Sequence, residues 1–146
     1  MDSSQRLISY FPALQAFSFL VTSPEDISYN CIAWAAGDDA RQWWPDALGF
    51  GYWPPDIPRA ETVEAFVLAY QTLGYQVCTT GDLEDGYEKI ALYAVGNTNP
   101  THAARQLPNG KWTSKCGDFE DIEHELDGLV GDSYGAVVSF MRRPTL

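Results

Sequence analysis

Between residues 38 and 59 this chain cannot build a long helix or strand. Trp43-Trp44-Pro45 is followed by Gly49-Phe50-Gly51-Tyr52-Trp53-Pro54-Pro55. Proline removes backbone donors and fixes φ, while glycine loosens the backbone, so regular elements stop there. The segment reads as an ordered aromatic excursion that either covers a core or walls a cleft. No internal repeat and no low-complexity linker accompanies it, and 146 residues is near the usual domain size. A single domain over residues 1–146 is therefore expected.

Before the excursion, Ser28 or Asn30 can cap a helix that runs from Cys31 through Ile32, Ala33, Trp34, Ala35 and Ala36 to Gly37. That helix is apolar nearly all round, which predicts burial. After the excursion, Val63, Phe66, Val67, Tyr70 and Leu73 fall at helical spacing and Gly74 ends the run. Strands are predicted over 75–78, 88–95, 101–107, 111–116 and 135–141, with Asn109-Gly110 as a hairpin turn. Asp118 opens a predicted helix bearing Ile122, Leu126 and Leu129. Residues 1–22 are read as a short helix plus extended chain. Helices first, then an antiparallel meander with one helical interruption, give an α+β class.

Nine basic against twenty acidic residues give a net charge of −11. Such a surface repels phosphate backbones and anionic lipid, so neither nucleic acid nor a membrane surface is an expected partner, whereas a basic protein is steered towards it. Cys31, Cys78 and Cys116 are odd in number and show no CxxC spacing. This argues against a disulfide framework and a zinc site, and for a reducing compartment. With no signal peptide and no apolar span in the sequence, a cytoplasmic location is expected, export by a non-classical route being the alternative. No cofactor or metal is expected, and the sequence leaves the oligomeric state open.

A cysteine acts as a nucleophile through its thiolate, which a helix N-terminus and a neighbouring imidazole both favour. Cys31 is at such a helix start. Of the two histidines, His102 begins a predicted strand, whereas His124 falls inside the predicted helix between Glu123 and Glu125, on a solvated side. Cys31 and His102 are thus the candidate nucleophile and base. Pairing the hairpin symmetrically about Asn109-Gly110 sets His102 opposite Gly117, with Asp118 beside it. Asp118 either orients the imidazole or caps the helix that follows. Lys115 then shares the His102 face, where it either binds a substrate carboxylate or reaches solvent. Trp34, Trp43 and Trp53 are candidate substrate contacts. A metal site of His102, Cys116 and Cys31 is disfavoured, because the same count puts Cys116 on the opposite face.

Tyr29-Asn30-Cys31-Ile32-Ala33-Trp34-Ala35, with Pro100-Thr101-His102-Ala103-Ala104-Arg105-Gln106 and Trp112-Thr113-Ser114-Lys115, resembles the papain-like superfamily, specifically its compact NlpC/P60 and CHAP branch. The resemblance covers about residues 29–117. It implies a papain-like fold, in which a buried helix carrying Cys31 packs on a small antiparallel sheet. It also implies amide hydrolysis or acyl transfer, with Cys31 as nucleophile, His102 as base and Asp118 near the third polar position. Asn30 departs from the acidic residue that usually precedes the cysteine in the peptidoglycan peptidases, and the sequence shows neither a signal peptide nor a basic wall-binding module, so a cytosolic or effector-type peptidase or amidase is the expectation. The alternative is a non-catalytic interaction domain of immunity or adaptor type, using the Trp/Pro-rich segment and the acidic surface.

Overall fold

Each helix begins where the sequence supplies an oxygen for its unpaired amides. Helix α1 (Ser3–Tyr10) carries a full capping box, in which Asp2 accepts from the Gln5 amide and Gln5 returns the bond. Asn30 caps α2 (Cys31–Ala36), and Thr62 caps α3 (Val63–Gln71). Among the described residues these helices pack on seven strands: β1 (Phe19–Val21), β2 (Gln76–Cys78), β3 (Tyr87–Val95), β4 (Asn99–Gln106), β5 (Trp112–Lys115), β6 (Asp121–His124) and β7 (Ala136–Pro144). The computed structural model describes residues 2–117 and 119–145.

The strands form one antiparallel sheet in the order β1-β6-β5-β4-β3-β7-β2. The α+β class expected from the element order is what the molecule has. Side chains alternate between the two faces of a strand, and each face has its own core. On one face, Ile32 of α2 and Phe66 and Tyr70 of α3 pack against Ile90, Leu92, Ala103 and Met141. On the other, α1 and the 3₁₀ turns Pro12–Ala16 and Leu126–Leu129 lie over Ala91, Tyr93, Ala104, Trp112 and Ile122. Among the described residues no helix is long and apolar enough to cross a membrane.

Two expectations are corrected. The predicted helix after Asp118 is strand β6, paired with β5 through Trp112↔His124 and Ser114↔Ile122. His124 is therefore not on a solvated helix face; it is fully buried. The cause is a four-residue alternation, in which Ile122 and His124 enter one core while Asp121 turns to the α2 face, where the Tyr29 hydroxyl donates to it at 2.6 Å. The second correction is register. The Leu107 amide donates to the Lys111 carbonyl, and the pairs are Arg105↔Thr113 and Gln106↔Trp112. This differs by one residue from the symmetric hairpin, and a one-residue slip exchanges the faces of every side chain. Ser114 now shares the His102 face, and Lys115 does not. Cys116 joins the core on the His102 face, reversing its expected placement.

Candidate functional site

Cys31 is the first residue of α2, and its position is fixed through the capping residue before it. Asn30 Oδ1 accepts from the Ala33 and Trp43 amides, and its Nδ2 donates to the Trp43 carbonyl at 2.7 Å. One side chain thus ties the helix start to the aromatic excursion. The Cys31 thiol points at β4. It donates to the Thr101 carbonyl at 3.9 Å, and the Ala103 amide is aimed back at the sulfur. Strand β4 pairs with β3 along Ile90–Val95 but with β5 only at Arg105 and Gln106. Its first half therefore has an edge open towards β5, and the sulfur occupies that edge. Backbone groups of residues two apart point to the same side of a strand, so the Thr101 carbonyl and Ala103 amide bracket His102.

The His102 ring projects to the face of Tyr93 and Ala104 and is fully buried. Its Nε2 is 2.9 Å from Ser114 Oγ, and that oxygen is 2.7 Å from His124 Nε2. His124 Nδ1 completes the chain at the Glu125 carbonyl, 2.8 Å away. His102 Nδ1 has no hydrogen-bond partner among the described residues. Tyr134 stacks on the His102 ring with centroids 4.0 Å apart and planes at 14°, while Tyr93 meets it edge-on at 5.2 Å. The Tyr134 loop is closed by reciprocal Gly131 and Gly135 backbone bonds, and Thr101 Oγ1 donates to the Tyr134 carbonyl at 2.6 Å. Gly135 sits at φ 75°, and a Cβ there would lie 2.1 Å from the Ala94 carbonyl oxygen. Only glycine lets this loop seat on β3.

Burial drives both candidate groups to their neutral forms. Desolvation lifts the Cys31 thiol to about 11, outweighing the amides of Ala103, Ile32 and Cys31 that would lower it. Desolvation holds the His102 imidazole well below the usual histidine range, with His124 adding to the effect. His124 is lowered to about 4 by burial, against the opposing pull of the Glu125 carbonyl. The Tyr134 phenol is raised by burial first and by the neighbouring Cys31 next. The site at rest holds a thiol and a neutral imidazole rather than an ion pair.

The other candidates from the sequence fall elsewhere. Asp118 lies outside the described residues. Lys115 is fully buried on the α2 face; its ammonium donates to the Phe119 carbonyl and lies 5.0 Å from the Tyr29 ring centroid, so no surface is left to take a substrate carboxylate or to reach solvent. Trp43 and Trp53 are core residues, not cleft walls: each is 4% exposed, and Trp53 packs against Phe66. Trp34 is half-buried, donates to Thr113 Oγ1 at 3.0 Å and carries the Arg105 guanidinium over its ring. Three residues at the site are not candidates in the sequence: Ser114 and Tyr134 are given no role there, and His124 is set aside as a residue on a solvated helix face. The alternation in Asp121-Ile122-Glu123-His124 was the available signal for His124. Among the described residues no three His, Cys, Asp or Glu side chains are grouped so as to hold a metal.

A family model, a domain of unknown function designated DUF7689, matches residues 20–142, and the chain belongs to that family. No curated protein and no solved structure matches the chain significantly.

Proposed function

We propose that this DUF7689 domain is a papain-like cysteine hydrolase of amide bonds, with Cys31 as nucleophile and His102 as general base. The observation that carries the reading is the bracketing of His102. The Cys31 sulfur lies against the backbone on both sides of it, while the imidazole has Nε2 tied to Ser114 and Nδ1 without a hydrogen-bond partner among the described residues, Cys31 Sγ included. In the proposed reaction Sγ attacks the amide carbonyl and its proton passes to His102 Nδ1. The Cys31 and Ile32 amides at the helix start stabilise the oxyanion. The imidazolium then protonates the departing amine, leaving a thioester on Cys31. Water attacks that thioester with His102 taking its proton, and collapse expels the thiolate, which is reprotonated. Because Tyr134 stacks over the imidazole, productive binding requires its loop to lift. The three free cysteines support a reducing, cytoplasmic setting.

The test uses an activated acyl donor, p-nitrophenyl acetate, with peptide mapping by mass spectrometry. The expected result is a single transient acetyl group on Cys31, lost in Cys31→Ala and slowed at least tenfold in His102→Gln. Acetylation confined to Cys78, or equal in wild type and His102→Gln, overturns the reading. The second reading is an interaction domain. It is favoured by the burial of Cys31 and His102 and by large apolar side chains left in solvent, Ile27, Leu48 and Phe50 being 72%, 81% and 87% exposed. On that reading the acidic surface meets a basic partner, and Cys31 takes no acetyl group.

A further inference from the structure

We infer that His124 is a positioning residue which, acting through Ser114, decides the nitrogen of His102 that carries the proton. This rests on the proposed role of His102 as base. One member of this hydrogen-bond chain has a fixed role. The Glu125 carbonyl can only accept, so His124 Nδ1 must donate to it across 2.8 Å. A neutral imidazole has one N–H, so His124 Nε2 is an acceptor. The Ser114 hydroxyl, 2.7 Å away, therefore gives its single proton to His124. With that proton committed, Ser114 Oγ can only accept from His102, so Nε2 of His102 is the protonated nitrogen across the 2.9 Å contact. Nδ1 is left with a bare lone pair, and it is the buried atom that has no partner among the described residues.

Three donor–acceptor choices thus follow from one carbonyl, and each assumes only that both rings are neutral. Their burial enforces neutrality, because His102, Ser114 and His124 are all fully buried. A lone serine beside His102 would not be enough, since a hydroxyl can turn to donate or accept. His124 removes that freedom. A structural hydrogen-bond network would need only satisfied partners; this one leaves His102 Nδ1 unprotonated and without a partner among the described residues.

The test is long-range ¹⁵N–¹H correlation spectroscopy on the full chain labelled at histidine nitrogen, near pH 7.5, paired with p-nitrophenyl acetate kinetics. The wild type should show His102 protonated at Nε2 and His124 protonated at Nδ1. In Ser114→Ala and in His124→Phe, His102 should become a mixture of both tautomers, and acetylation of Cys31 should slow about tenfold. Ser114→Thr keeps the hydroxyl and should restore both signals if the alanine variant has lost only the relay. Finding His102 protonated at Nδ1 in the wild type, or a single unchanged tautomer in both folded variants, overturns the inference. If the tautomers are as stated but Cys31 never acylates, the proton placement stands and the hydrolase reading fails. Acylation that depends on His102 but not on Ser114 or His124 has the opposite meaning.

Discussion

At the scale of the residue, Ser114 carries more than its size suggests. It is fully buried, and its single oxygen is the partner of two imidazoles. Ser114→Ala strands His102 Nε2 and His124 Nε2 together in the buried core. Leaving a buried polar group unsatisfied costs about 1–3 kcal/mol, so the variant should lose about 2–4 kcal/mol, measured by urea unfolding. A loss below about 0.5 kcal/mol would mean that the hydroxyl bonds are not made in solution. Cys31 is the residue whose position is most legible in the sequence, because a capping asparagine directly before it places it at a helix start. Ser114 was hidden by the turn: nothing in Pro108-Asn109-Gly110 distinguishes a symmetric hairpin from one shifted by a residue, yet that shift decides whether Ser114 or Lys115 faces His102.

At the scale of the element, α2 and the aromatic excursion behave as one unit because Asn30 holds both. Asn30→Ala removes the helix cap and two bonds to the Trp43 backbone. Loss of a cap alone costs about 1 kcal/mol, and the stranded Trp43 groups should bring the total to about 2–3 kcal/mol. Hydrogen exchange should show faster opening at residues 31–36 and 43–53 together; acceleration of the helix alone would contradict the coupling. Helix α2 was legible because cap, apolar pattern and terminal glycine agree, and α3 because its apolar spacing and Gly74 do. Strand β6 was not, because Asp121 and Glu123 read as a solvated charged face when only the sequence is considered. In the fold Asp121 is buried, and its partner Tyr29 is 92 residues away in the chain. A contact at that separation leaves no local periodicity to detect.

At the scale of the whole molecule, the two buried histidines make the fold sensitive to acid. An unfolded histidine takes up a proton near pH 6.5. In the fold His124 does so only at about 4, and His102 is also held well below its ordinary value. Between these limits the unfolded state binds more protons, so stability falls as the pH falls. Above pH 6.5 the term vanishes. Each tenfold shift in proton affinity corresponds to about 1.4 kcal/mol, so His124 alone should remove about 3 kcal/mol between pH 7 and pH 4. Urea unfolding across that range measures it. Unchanged stability in the wild type, or an equal acid loss in a folded His124→Gln variant, would contradict the assignment.

The pairing of Cys31 with His102 is tested most directly by the pH dependence of alkylation at each cysteine, followed by mass spectrometry with iodoacetamide from pH 6.5 to 8.5. An ordinary thiol with a pKa near 8.5 gains about tenfold in rate per pH unit over the lower part of that range. Cys31, with its thiol lifted to about 11, would climb throughout if hydroxide alone removed its proton. If His102 Nδ1 takes the proton instead, the rate at Cys31 should stay level across the range and fall at least tenfold in His102→Gln. A Cys31 rate that rises tenfold per unit, unchanged by His102→Gln, would contradict the account.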